Sequence, residues 1–137
     1  MFPTGHAAEA RLLAWDGDSD LAALATNTDG LIAADIGDSD ALRVGELVVA
    51  VGSPFGLPGA VTAGVIHAVP SRRPSGPRFI EAAVRLAPGN SGGPLADSRG
   101  HVIGINARIA GGLALAVPSS VVARFLASVQ RGAIAVP

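Results

Sequence analysis

Apolar positions along this chain come in short runs, each stopped by glycine, proline or a small polar cluster. "LVVAVGSP" at 47–54 is β-branched and ends on Gly and Pro, which predicts a strand. "AVTAGVIHAV" at 60–69 predicts a longer one, and "RFIEAAV" at 78–84 returns toward it from a polar tip at 70–77. Residues 94–109 predict a hairpin turning at Asp97–Gly100, and "GGLALAVP" at 111–118 a last strand. Upstream, "LAALA" at 21–25 is a short apolar strand between polar turns at 16–20 and 27–30, while "AAEARLLA" at 7–14 fits a strand or a short helix. Residues 37–46 read as a polar connector with a small apolar anchor. Helical spacing occurs at the end, where apolar residues at 121, 122, 125, 126 and 129 follow Ser119 and Ser120 as caps and precede a Gly132 stop. Hairpins followed by one helix predict an all-β domain.

Composition narrows this picture. The chain is 49% hydrophobic and 15% charged, so it can bury a core, and its 137 residues suit one domain or two small halves. Aromatics are 4%, which leaves Ala, Val, Ile and Leu to fill that core. Net charge is −1 with no basic run and no lysine, so no nucleic-acid surface is expected. With no cysteine there is neither a disulfide framework nor a thiolate metal site. No apolar run reaches the roughly 18 residues of a membrane span. "MFPTGHAAEA" lacks the basic-then-apolar order of a signal peptide.

The stretch "APGNSGGPL" at 87–95 carries the chemistry. A serine hydroxyl attacks a carbonyl when a base takes its proton and backbone N–H groups face the oxyanion that forms. Pro88 fixes one φ, and Gly89 is free to turn its N–H toward the same point as that of Ser91. Gly92 and Gly93 remove side chains where a substrate backbone must come close. Ser91 is thus the candidate nucleophile, with the amides of Gly89 and Ser91 as oxyanion hole.

"GNSGGPL" resembles the nucleophile loop of chymotrypsin-fold serine proteases. "GDSDALRVGELVVAVGSPFGL", "VTAGVIHAV", "FIEAAVRLAPGNSGGPL", "GHVIGIN" and "LALAVPSSVVARFL" resemble, in order, the bacterial high-temperature-requirement (HtrA-type) branch. The resemblance runs from about Gly5 to Gly132. It implies a double β-barrel and a serine endopeptidase that hydrolyses unfolded or extended proteins through an acyl-enzyme, without cofactor or metal. The branch mostly works outside the cytoplasm, which implies a periplasmic or extracytoplasmic setting.

The triad order of this fold is His, Asp, Ser. "DSDLAAL" matches the segment that carries the acid and places it at Asp20. Asp16, Asp18 and Asp20 also open like a calcium loop, but Leu21 and Asn27 stand where that loop needs Gly and Glu, so no metal is expected. No histidine fits as base. His67 and His101 fall in the wrong order, and His6 lies too close to Asp20 and outside a Thr-Ala-His-Val-like segment. The chain is therefore expected to begin after its catalytic histidine, by truncation or by a start codon assigned too far downstream.

On that reading residues 1–36 are the remnant of an incomplete first barrel, with an open sheet edge and an uncovered apolar face. Residues 37–137 form a complete second barrel with its C-terminal helix, and the chain alone is close to inactive. A non-catalytic peptide-binding relic, or a split enzyme completed by an N-terminal segment on a partner, are the alternatives. A homo-oligomer is left open.

In this fold the residues before the nucleophile line the specificity pocket. Leu86 then implies an aliphatic side chain at the cleavage site, and the absence of an acid among residues 84–87 argues against cleavage after Lys or Arg. Arg85 departs from the small residue usual in the branch. It either enters the pocket and favours an acidic residue or points into solvent. Ile105, Asn106 and Ala107 are expected to receive an extended protein or peptide substrate as an added strand.

Overall fold

A computed structural model describes residues 7–71 and 78–132. His6 and most of the polar tip at 70–77 lie outside the described residues. The chain divides into two compact units. The first joins Met1–Ala33 with Val121–Pro137; the second is Ala34–Ser120.

Within the first unit β1 (Ala10–Asp16) and β2 (Leu21–Thr26) pair antiparallel, so the segment open to helix or strand is a strand. Ala14, Leu21 and Ala23 are buried, whereas Leu12, Trp15 and Leu24 are exposed. The sheet has two strands, β1-β2. The turn is fixed by Asp16, which accepts from the Asp18 amide at 3.1 Å and from the Ser19 hydroxyl. Among the described residues no group of three or more potential metal ligands forms.

The second unit is a closed six-stranded barrel. Its strands are β3 (Leu47–Gly52), β4 (Ala60–Ala68), β5 (Ile80–Ala82), β6 (Pro94–Asp97), β7 (Val102–Ala110) and β8 (Leu113–Pro118), in the order β3-β4-β5-β8-β7-β6. Every pairing is antiparallel, and β3 with β6 closes the ring. Closure pairs each strand on both sides along part of its length, and period-two alternation turns one residue in two inward. Val48, Ala50, Ile66, Ile80, Ala82, Val84, Leu86, Leu95, Ile103, Ala114 and Ala116 form the core. A barrel this small is filled by alanine and branched aliphatics, which is how a chain poor in aromatics packs it.

The connector at 37–46 is more ordered than its polarity suggested. Ile36 bridges Val102 in parallel, and the Val102 amide donates to Asp35 O at 2.8 Å. Asp38 accepts from the Asp40 amide at 2.9 Å and starts a 3-10 turn at Ser39–Ala41. Ser39 and Ser119, far apart in sequence, are buried together. The Ser119 hydroxyl accepts from the Ser39 amide and donates to Gly37 O, while the Ser39 hydroxyl accepts from the Ser120 amide at 3.0 Å. Helix α1 (Ser119–Gln130) is thus capped by Ser39 rather than by its own serines. It ends at Gly132, where φ is 68°.

Candidate active site

The loop at 87–93 is held on three sides. Its own turns close through the Asn90 amide to Ala87 O at 3.1 Å and the Gly93 amide to Asn90 O at 3.1 Å. The neighbouring 3-10 turn at Pro54–Gly56 donates to it, Ser53 N–H to Gly89 O at 3.1 Å and Phe55 N–H to Pro88 O at 3.3 Å. Strand β7 holds the far end, through the Gly92 amide to Asn106 O at 2.7 Å and the Asn106 amide to Gly93 O at 2.9 Å.

These bonds decide where the remaining amides point. In a trans peptide the C=O and the following N–H face opposite ways. Pro88 O is drawn to Phe55, so the Gly89 N–H is turned away from that turn. Asn90 O is drawn to Gly93, so the Ser91 N–H is turned away from Gly93. Past Pro88, Gly89 and Ser91 are the loop positions whose amides have no backbone acceptor among the described residues, as is Ala87 before it, whereas those of Asn90, Gly92 and Gly93 do.

Gly89 sits at φ 103°, and a Cβ on it would strike the Ser53 carbonyl. A Cβ on Gly93 would strike the carbonyl of Val51. The loop glycines therefore serve close backbone packing as well as backbone direction. Asn90 is buried, its side chain packed where Gly52 leaves room, and Ser91 is exposed.

Asn106 holds the loop from behind. It is 1% exposed and donates Nδ2 to Pro94 O at 3.0 Å. Its backbone N–H and C=O are both bonded to the loop, and Ile105 is paired with Pro94 on one side and Val117 on the other. Beyond Asn106, β7 pairs with β8 alone, across a bulge at Ala107. Of the three residues expected to receive a substrate strand, Ile105 and Asn106 already hold internal partners; the open edge begins at Ala107. Sequence reading missed Asn106 as an anchor, since an asparagine inside "GIN" carries no local mark of a buried side chain.

Val84 and Leu86 are buried and Arg85, between them, is exposed. Asp20 lies in the first unit, exposed in the β1–β2 turn with φ 58°, a left-handed conformation that Asp tolerates better than most residues. His67 is exposed on β4. His101 sits in the β6–β7 turn, its Nδ1 3.6 Å from Asp97 Oδ2, and its amide donates to Asp97 at 3.0 Å. Ser91 has no histidine hydrogen-bonded to it among the described residues.

The profile of the trypsin-like peptidase domain matches residues 1–105. A probable periplasmic serine endoprotease, DegP-like, of Ectopseudomonas mendocina is 45% identical over 121 residues, covering 82% of this chain and 26% of that protein. The putative serine protease HhoB of Synechocystis is 38% identical, covering 83% of this chain and 30% of that protein. Among solved structures, the HtrA-type protease AlgW with decapeptide superposes with a TM-score of 0.85 at 33% identity, over 94% of this chain and 42% of that one. The chain thus spans between a quarter and a third of these two curated relatives.

Proposed function

Since this chain belongs to the HtrA-type trypsin-like serine peptidases, with their chymotrypsin-like fold, we propose that Ser91 is the nucleophile of an endopeptidase acting on extended or unfolded protein. The observation that carries this reading is the pair of free amides at Gly89 and Ser91, each directed by a bond on the carbonyl of its own peptide. In this reaction the Ser91 Oγ forms a bond to the substrate carbonyl carbon while its proton passes to a base. The carbonyl oxygen becomes an oxyanion between the two amides. Collapse breaks the C–N bond, the amine leaves with the proton from the base, and water then hydrolyses the acyl-enzyme. Asp20 has the role of orienting the imidazole and stabilising its charged form.

The base comes from a histidine outside the described residues. His67 stands on a barrel strand and His101 is tied into the β6–β7 turn, so neither serves. Residues 1–36 are read as the closing part of a first barrel and 37–137 as a second barrel with its helix. A periplasmic setting, which the name of the DegP-like relative states for that protein, is part of the same proposal. Without the base, catalysis falls to the roughly 10³–10⁴-fold over water that an oxyanion hole and binding alone retain.

Chemical rescue tests this. The 137-residue chain is mixed with an acyl nitrophenyl ester and free imidazole as external base, then digested and weighed. One acyl group on Ser91, lost in Ser91→Ala, is expected. Labelling indistinguishable between the two would overturn the nucleophile assignment and favour a peptide-binding relic.

A further inference from the structure

Resting on the reading of Ser91 as nucleophile, we propose that Arg85 selects peptide segments that carry a carboxylate side chain. A groove of about 430 Å³ lies within the barrel unit, lined by Ala83, Val84, Arg85, Leu86, Ile109 and the Gly112–Leu113 tip of the β7–β8 hairpin. One wall is the run that leads directly into the nucleophile loop. The other is the end of β7 and its turn, beyond the point where β7 has lost β6 as a partner. An extended chain added to that open edge has its side chains directed alternately to opposite faces, so alternate ones reach the groove.

The lining is apolar with one exception. Arg85 is exposed and makes no hydrogen bond, ion pair or ring contact among the described residues. No carboxylate lines the groove with it. The arginine on the β7–β8 hairpin, Arg108, lies over the Phe79 ring at 4.8 Å and is occupied. Val84 and Leu86 are buried, and Arg85 between them is exposed and lines the groove. An apolar trough with a single uncompensated guanidinium is complementary to an aliphatic peptide bearing one Asp or Glu. Guanidinium binds carboxylate through paired N–H donors, so the charge is recognised with geometry as well as sign.

The test uses the full chain and extended Ala/Leu peptides with blocked ends and an uncharged fluorophore, so that the side chain is their sole charge. One central position is Glu, Gln or Lys, and binding is read by anisotropy. Glu is expected to bind about two- to fivefold tighter than its isostere Gln, the scale of a solvent-exposed pair. The margin shrinks in high salt. Arg85→Ala removes it, and Arg85→Glu reverses it in favour of Lys. Equal affinity for Glu and Gln, a preference that survives in Arg85→Ala, or no binding of any peptide overturns the proposal. Acylation of Ser91 by a neutral ester is measured separately. A chain that acylates without discriminating Glu loses only this proposal, and one that discriminates Glu without acylating loses only the nucleophile assignment.

Discussion

At the scale of the residue, the candidate site rests on backbone rather than side-chain chemistry. Gly89 has the least freedom to change, because a side chain there meets both an unfavourable φ and the Ser53 carbonyl. Gly89→Ala is expected to lower stability by about 1–3 kcal/mol and to reduce Ser91 acylation, read by thermal unfolding and mass spectrometry respectively. Unchanged acylation would mean that the Gly89 amide faces no reacting oxygen. Asp97 gives a pH signature. Burial raises its pKa, but the amides of His101 and Arg99 and the Arg99 guanidinium lower it further, so the net direction is down. A carboxyl lowered on folding stabilises the fold above its unfolded pKa, about 3.9, and loses that contribution as pH falls through the folded value. Asp97→Ala should therefore cost about 1–2 kcal/mol at neutral pH. Urea titration should show the gap to the native chain narrowing below about pH 4.

At the scale of the element, the barrel strands and the helix cap carry separate loads. Leu95 on β6 is fully buried, and its strand is paired to both β3 and β7. Leu95→Ala is expected to cost about 2–5 kcal/mol, the transfer loss plus a cavity that a closed barrel cannot collapse. Ser39→Ala acts at a distance in sequence. It leaves the Ser120 amide without its acceptor, at a cost of about 0.5–2 kcal/mol. Its readout is loss of hydrogen-exchange protection at the start of α1 while the amides of β3 and β4 keep theirs. Equal loss everywhere would mean that the serine supports the barrel rather than the helix.

At the scale of the whole molecule, the two units differ in what they can do alone. Ala34–Ser120 contains a closed ring, its own core and the Ser39–Ser119 exchange. Expressed by itself, this segment should give dispersed NMR spectra and one cooperative unfolding transition. Residues 7–33 contain one hairpin, a size marginal in water, and as a peptide should show no persistent β signal by circular dichroism. A folded hairpin peptide, or an unfolded barrel segment, would reverse the assignment of where stability lies.

The sequence by itself determined the strands from 47 onward, the helix, the all-β class and the candidate nucleophile, while 7–14 stayed open between strand and helix. Those features are local: period-two runs between Gly and Pro stops, a 3.6-residue apolar stripe before Gly132, and a string of glycines about Ser91. Only the tertiary structure decided that β3 closes on β6, that Ser39 caps a helix eighty residues away in the chain, and that Asn106 anchors the loop. It also decided that the open edge of β7 starts at Ala107 and that Arg85 stands uncompensated in a groove. Each of these is a relation between segments distant along the chain. A residue's type limits which hydrogen bonds it can make, but which partner it meets depends on how the strands close, and no local pattern encodes that.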